Sequence, residues 1–206
     1  MSLISQLLAT SPWEAAAAAL GLAYLILAVR RNLWCWFCAF VSTSIYLVLF
    51  AQAKLYMQSA LNVFYLVMAV YGFLEWRRGR SEEGGVLIRS WGLKQHLFAA
   101  AAIVAATLIN GWLLVRGTDA VAPYLDSFVT WSSVVTTWMV ARRLIENWLY
   151  WIVIDSVAAY LYFSQQLFVT ALLFALYVGI VIHGYIQWRQ QQRLQLAAPL
   201  AAQGPA

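Results

Sequence analysis

Charge is the scarcest property of this sequence. Only 10% of its 206 residues are Asp, Glu, Lys or Arg, whereas 64% are hydrophobic, and the mean hydropathy is +0.72. A soluble domain of this size carries roughly 25% charged residues, so the composition predicts an integral membrane protein that lies in a lipid bilayer. The net charge of +5 comes from short basic clusters between apolar runs. That pattern is typical of the cytoplasmic side of a membrane protein, and it excludes nucleic acid as a partner.

Cysteine is nearly absent as well. Cys35 and Cys38 form a C-x-x-C pair inside the apolar run LWCWFCAF, and the sequence has no second Cys or His pair that would complete a zinc site. We interpret both cysteines as small apolar packing residues, and we expect neither a metal ion nor a cofactor.

Other missing motifs exclude whole classes of membrane protein. No G-x-x-x-x-G-K-[ST] run is present, which argues against an energised pump. The two lysines, Lys54 and Lys94, lie at loop positions, so no helix offers a Schiff-base lysine for retinal. His96 and His183 lie near helix ends without a visible catalytic set, so no enzyme is expected. The N-terminal segment has neither a basic n-region nor a small-residue cleavage site, and we expect no removable signal peptide.

Seven apolar windows follow one another along the chain, each long enough to cross a bilayer, some only with tilt or a polar flank. They lie at residues 14–29, 33–53, 56–76, 95–115, 124–141, 146–165 and 168–188. Because irregular backbone cannot face lipid, they predict seven transmembrane helices and an all-α fold. With the N-terminus outside, only Lys54 and Arg116 of the 13 basic residues lie outside. The positive-inside rule therefore predicts an outer N-terminus and a cytoplasmic C-terminus.

The two ends of the chain resemble each other. Two N-terminal runs, WCWFCAFVSTSIYLVLF and LYMQSALNVFYLVMAVYGFLEW, align with two C-terminal runs, WLYWIVIDSVAAYLYF and LFVTALLFALYVGIVIHGYIQW. The alignment pairs Trp34 with Trp148, Tyr46 with Tyr160, Tyr65 with Tyr177, Gly72 with Gly184, Trp76 with Trp188 and Glu14 with Asp126. We expect two parallel three-helix repeats, 13–76 and 124–188, joined by a linker helix within 77–123. The polar and then Ala/Pro/Gly-rich segment 189–206 predicts a disordered cytoplasmic tail.

Asp155 is the most informative single residue. It lies between the apolar runs WLYWIVI and SVAAYLYF, about nine residues into the sixth window, which is roughly 13 Å deep in a slab of ~30 Å. A carboxylate at that depth costs several kcal/mol unless it is neutral, paired or wetted. Such a residue usually faces a cavity, so we expect Asp155 to bind substrate, with a role as a proton relay left open.

Polar and aromatic residues follow helical spacing on four of the windows. The candidate site residues are Trp148, Trp151, Asp155 and Tyr162 on the sixth, with Asn147 at its start, Gln58, Asn62 and Tyr65 on the third, Asp126 and Ser133 on the fifth, and Trp36 and Thr43 on the second. Buried Ser and Thr side chains can also serve only to hold helices together. Carboxamides, aromatic rings and a carboxylate suit a small, flat, cationic solute. Three further tryptophans at helix ends, Trp13, Trp76 and Trp188, are expected to be interfacial anchors.

Three segments, ARRLIENWLYWIVIDSVAAYLY, LYMQSALNVFYLVMAVYGFLEW and YLDSFVTWSSVVTTWMVARR, resemble the PnuC-type nicotinamide riboside transporters. The resemblance covers most of the chain. It implies a 3+1+3 helix arrangement similar to that of the SWEET carriers, and facilitated diffusion of a vitamin across the bacterial inner membrane. It also implies a homotrimer and trapping of the imported vitamin by a cytosolic kinase.

Residue by residue, the resemblance places Asn62, Asn147, Trp148, Trp151 and the position of Asp155 on family motifs. Some nicotinamide riboside carriers have Asn where this chain has Asp155, and relatives of the family carry thiamine, riboflavin or deoxynucleosides. A carboxylate favours a cation, so nicotinamide riboside is the expected substrate and thiamine the first alternative. A membrane receptor or scaffold with a structural polar core is the alternative from another class.

Overall fold

The computed structural model describes residues 12–52, 56–79, 87–118, 122–164 and 168–201. Within these ranges the chain forms seven α-helices, as the apolar windows predicted. They are α1 (Pro12–Val29), α2 (Trp34–Gln52), α3 (Tyr56–Arg78), α4 (Leu93–Gly117), α5 (Pro123–Ala141), α6 (Asn147–Ser164) and α7 (Phe168–Ala201). Helices α1 and α5 each begin with proline, whose fixed φ suits the first helical position.

Five of the seven helices are long and apolar enough to span a membrane by themselves, namely α1, α2, α3, α4 and α7. The other two, α5 and α6, are also the helices that carry Asp126 and Asp155. The protein buries Asp155 of α6, whereas Asp126 in the first turn of α5 is exposed.

The residues group into two compact units. The first contains 1–88, 141–143 and 186–206, and the second contains 89–140 and 144–185. In the first unit α2 packs against both α1 and α3. In the second unit the Asn110 amide of α4 donates a 2.9 Å hydrogen bond to Ser127 of α5, and Trp148 of α6 contacts Gly184 of α7. The predicted repeat boundaries differ from this grouping and stay a prediction.

Two turns are built alike, the α1–α2 turn and the α5–α6 turn. Arg31 (φ 54°) and Arg143 (φ 62°) are the non-glycine residues with positive φ in the described ranges. Left-handed backbone costs roughly 1–2 kcal/mol in such residues, so each turn needs compensating contacts. In the first turn, Asn32 Oδ1 accepts a 2.9 Å hydrogen bond from the backbone N–H of Trp34 and caps α2.

The prediction of a disordered tail from residue 189 was wrong. Helix α7 continues without a break to Ala201, and residues 202–206 lie outside the described part. The segment after Trp188 is polar, but Gln, Arg, Leu and Ala are all good helix formers. Its polar side chains also find partners, because the Oε1 atoms of Gln191 and Gln195 both accept hydrogen bonds.

The expected role of two terminal tryptophans was also wrong. Trp13 is exposed, as an interfacial anchor would be, whereas Trp76 and Trp188 are fully buried. Their ring centroids lie 5.9 Å apart, and the Trp188 indole N–H donates to two backbone carbonyls of α1. These rings are therefore part of the protein core of the first unit.

Candidate functional site

Asp155 lies on α6, in the second unit, eight residues after the first residue of the helix, or roughly 12 Å along its axis. Its exposed fraction is 4%, and its neighbour Ile154 is buried as well. Within the described part of the chain no side chain pairs with its carboxylate. A buried carboxylate without a counter-ion is costly, and a cationic ligand would remove that cost.

The start of α6 carries two other predicted site residues, Asn147 and Trp148, which are both buried. The Asn147 amide nitrogen donates a 2.5 Å hydrogen bond to the carbonyl of Leu144, which fixes the side chain, while its carbonyl oxygen Oδ1 is buried without a hydrogen-bond partner. An unsatisfied buried acceptor costs about 1–3 kcal/mol, so Oδ1 is available to a donor that a ligand brings. Trp151, one turn further along, is half-buried.

Three further predicted residues lie on α5 and α6, with Asp126 in the first turn of α5, Ser133 in its middle and Tyr162 in the last turn of α6. Asp126, in the first turn of α5, is exposed and interacts electrostatically with the half-buried Tyr162 of α6. The Tyr162 ring packs on Phe174 of α7 with a centroid distance of 5.3 Å. Ser133 is buried on α5. Asp126 and Tyr162 thus come together, whereas the exposure of Asp126 suits it to attract a cation rather than to enclose one.

The remaining predicted residues belong to the first unit. Trp36 and Asn62 are buried, and Thr43 and Tyr65 are half-buried. The Trp36 indole N–H is buried without a hydrogen-bond partner, so it could donate to a ligand. Gln58 falls in α3, but its side chain lies outside the described residues.

Sequence reasoning missed Tyr24 of α1. Its ring centroid lies 5.9 Å from that of Trp36, and its hydroxyl interacts electrostatically with Cys35 and Tyr65. A signal was present, because Tyr24 is the single tyrosine in a helix whose residues after Glu14 are otherwise Ala, Leu, Gly, Ile and Val.

The pairing of Trp34 with Trp148 was out of register. Trp34 is 65% exposed, whereas Trp36 and Trp148 are 2% and 1% exposed. A Cβ placed on Gly72 would lie 2.4 Å from the Trp36 ring, and one on Gly184 would lie 2.7 Å from the Trp148 ring. The number of residues between Trp36 and Trp148 equals the number between Gly72 and Gly184. The aligned tryptophan in the first half is therefore Trp36.

No group of three or more His, Cys, Asp and Glu side chains that could hold a metal ion occurs in the ranges 12–52, 56–79, 87–118, 122–164 and 168–201. The residues that could contact a ligand are thus aromatic rings, carboxamides, hydroxyls and one buried carboxylate. This set can bind a small polar solute through stacking, hydrogen bonds and charge.

Apolar helices of spanning length with buried polar side chains define an integral membrane protein, and comparison with known proteins identifies its family. The chain belongs to the nicotinamide mononucleotide transporter family, whose model matches residues 11–190. The resemblance to PnuC-type transporters is confirmed.

Two curated relatives are similar over most of their length. The riboflavin/roseoflavin transporter RibM of Streptomyces davaonensis is 29% identical over 182 residues, which cover 84% of this chain and 83% of RibM. The nicotinamide riboside transporter PnuC of Escherichia coli is 25% identical over 205 residues, covering 87% and 86%. The crystal structure of the vitamin B3 transporter PnuC has the same fold, with a TM-score of 0.67 at 23% identity, covering 86% of this chain and 80% of that one.

Proposed function

We propose that this protein imports nicotinamide riboside across the bacterial inner membrane by facilitated diffusion. The observation that carries the proposal is the buried, unpaired carboxylate of Asp155 in a chain of this transporter family. The pyridinium ring of nicotinamide riboside bears a fixed positive charge. At a separation of about 4–6 Å and an effective dielectric constant of about 20, a carboxylate stabilises such a charge by roughly 3–4 kcal/mol.

The other candidate residues match the remaining chemistry of that substrate. Trp151 is half-buried and offers a ring face for a flat heterocycle, and stacking on an aromatic side chain is worth roughly 1–3 kcal/mol. The fully buried Trp148 lies one turn before it and packs on Gly184. The Asn147 Oδ1 atom is an acceptor for the carboxamide N–H or a ribose hydroxyl, and Asn62 offers a second carboxamide. Asp126, exposed at the predicted outer end, would raise the local concentration of a cation.

Net import requires that the substrate be consumed inside the cell, because a facilitated carrier only equalises the substrate concentrations on the two sides of the membrane. We propose that a cytosolic kinase phosphorylates the substrate, since a phosphate adds up to two negative charges at neutral pH. An anion is disfavoured beside Asp155, so the phosphorylated product does not return through the carrier. The proposal includes an outer N-terminus, a cytoplasmic C-terminus, two parallel three-helix repeats and assembly as a homotrimer.

Riboflavin is a second candidate, and thiamine a third. The 29% identity with RibM, over 84% of this chain, favours riboflavin. Riboflavin is neutral and larger than nicotinamide riboside, so it gains nothing from the Asp155 charge. Thiamine has a fixed cation and would gain as nicotinamide riboside does.

A binding panel with purified protein tests the proposal. By calorimetry, nicotinamide riboside should bind, and Asp155→Ala should abolish that binding while the protein still inserts and elutes as the wild type does. Asp155→Asn should lose at least about a hundredfold in affinity, in line with the charge interaction above. The matched control is Asp126→Asn, which removes the same carboxylate from an exposed position and should change the affinity by less than about fivefold.

Uptake of labelled nicotinamide riboside, thiamine and riboflavin by a host that has the kinases then separates the candidates. If the Asp155→Asn variant still takes up riboflavin, and the protein takes up neither nicotinamide riboside nor thiamine, riboflavin becomes the proposed substrate. Absence of uptake and binding for all three vitamins would favour a receptor or scaffold.

A further inference from the structure

The C-terminal part of α7 belongs to the first unit and packs one face on other residues of that unit. Trp188, Gln191 and Gln195 stand at spacing i, i+3 and i+7, which aligns them along one side of an α-helix. All three make contacts with other residues of the first unit, while Gln187 and Gln190 of the same helix are exposed. We call the segment Trp188–Gln195 the strap.

The strap docks on the α1–α2 turn and on the chain leading to α4. The Trp188 indole N–H donates to the carbonyls of Ala28 (3.1 Å) and Val29 (3.2 Å), which lie in the last turn of α1 and have no partner within that helix. Arg31 Nη2 donates to Gln191 Oε1 at 3.3 Å, and the backbone N–H of Ile88 donates to Gln195 Oε1 at 3.1 Å.

Arg31 links the strap to a strained turn. Its positive φ and its partial burial both cost free energy, and the burial lowers the pKa of its guanidinium from the ordinary value. The hydrogen bond to Gln191 offsets part of that cost. The strap therefore stabilises this conformation of the α1–α2 turn.

A similar contact, here called a clasp, forms around Arg143. Arg143 follows Arg31 in the chain at the same spacing at which Trp148 follows Trp36. Arg143, the other residue with positive φ, reaches the end of α3, where its Nη2 lies 3.7 Å from Glu75 and its guanidinium packs over Gly79. Gly79 corresponds to Gln191 at that spacing. The two contacts differ in chemistry, because the guanidinium of Arg143 is buried and lies beside the carboxylate of Glu75, whereas Arg31 donates to the neutral, partly exposed amide of Gln191.

Helix α7 is continuous, yet residues up to Tyr185 belong to the second unit and residues from Ile186 belong to the first. A change in the direction of α7 near Tyr185 would strain this continuous helix unless the strap detached from its partners. We propose that the strap is a releasable restraint, and that its detachment from the α1–α2 turn limits the rate of the conformational change that moves substrate. This inference rests on the proposed transport function.

The contacts at Gln191 and Gln195 are the ones to remove, because their loss leaves the buried Trp188 in place. The test variant is Gln191→Ala/Gln195→Ala, and the matched control is Gln187→Ala/Gln190→Ala, which removes two exposed glutamines from the same helix. Loss of two ordinary hydrogen bonds should raise the population of the detached strap roughly tenfold. Hydrogen exchange of intact protein in nanodiscs, followed by mass spectrometry of peptides spanning 186–197, measures that population without substrate.

We expect exchange in 186–197 to be about tenfold faster in the test variant than in the control. In proteoliposomes that contain the test variant, the transport rate of nicotinamide riboside at saturating concentration should be about threefold or more above that of the control. The equilibrium Kd for nicotinamide riboside should be unchanged. Equal hydrogen exchange in the two variants would overturn the proposal that the strap is a releasable restraint. Faster hydrogen exchange with an unchanged or lower transport rate would overturn it as well. A wild-type protein that moves none of the vitamins would instead count against the proposed function, and the hydrogen-exchange comparison would still decide whether these contacts hold the strap.

Discussion

Replacing Gly184 by alanine should destabilise the protein through one identifiable contact. The new Cβ would lie 2.7 Å from Cζ3, 2.8 Å from Cε3 and 2.8 Å from Cη2 of Trp148, whereas ordinary contact begins at 3.4 Å. The indole is buried and cannot move without displacing its neighbours. Overpacking of this kind costs about 1–3 kcal/mol. Alanine also gains roughly 0.5–1 kcal/mol over glycine within a helix, which offsets part of that cost.

Gly179→Ala is the matched control, because Gly179 lies on the same helix and a Cβ there would meet nothing within 4 Å. The propensity gain is common to both substitutions, so the difference between them isolates the overpacking term of about 1–3 kcal/mol. Reversible unfolding in mixed micelles, followed by tryptophan fluorescence, measures both free energies of unfolding.

A double-mutant cycle identifies the contact. The three clashing atoms belong to the six-membered ring of the indole, which Trp148→Leu removes, so Gly184→Ala should cost little in that background. If Gly184→Ala is as stable as Gly179→Ala, or costs the same with and without the indole, the packing argument fails.

Three further substitutions have expected outcomes. Trp151→Ala should weaken binding of nicotinamide riboside by roughly 1–3 kcal/mol in calorimetry, and an affinity within error of the wild type would make this ring a packing residue only. Asn32→Ala removes the side-chain cap on the N–H of Trp34 and should lower the free energy of unfolding by about 1 kcal/mol, a loss that Asn32→Ser should largely restore. Gly79→Ala places a Cβ 0.9 Å from Arg143 Nη1, so it should lower thermal stability in the wild type but not in the Arg143→Ala background; equal losses in both would contradict the clasp geometry.

The helices could be predicted because their apolar runs are long and their ends are marked. Every end of the seven windows agrees with the structure to within two residues, except the end of α7. There the expectation equated the end of the apolar run at Trp188 with the end of the helix. Polarity decides whether a segment lies in lipid, but helix propensity and side-chain contacts decide whether it is helical.

The candidate site could be predicted only in part. Asp155 and Asn62 were named because a carboxylate and a carboxamide in apolar runs are costly to bury, and both side chains are buried in the structure. Their roles stay a prediction. The register of Trp36 was missed because LWCWFCAF has two tryptophans two residues apart, and only the packing on Gly72 distinguishes them. The left-handed backbone at Arg31 could not be predicted, since arginine has no local preference for positive φ.

Some structural features occur in both the N-terminal and the C-terminal part of the chain, separated by one constant number of residues, whereas others occur only once. The two kinds of feature have different explanations. The arginine turns and the tryptophan–glycine contacts occur in both halves, as expected of contacts that any such bundle needs, whatever it carries. At the same spacing, however, Asp155 corresponds to Thr43 and Asn62 corresponds to Phe174. A vitamin has no twofold symmetry, so the positions at which the corresponding segments differ are the ones that can distinguish one vitamin from another. Changes of substrate should therefore follow from the unlike positions, whereas changes at the duplicated positions should lower stability for every substrate alike.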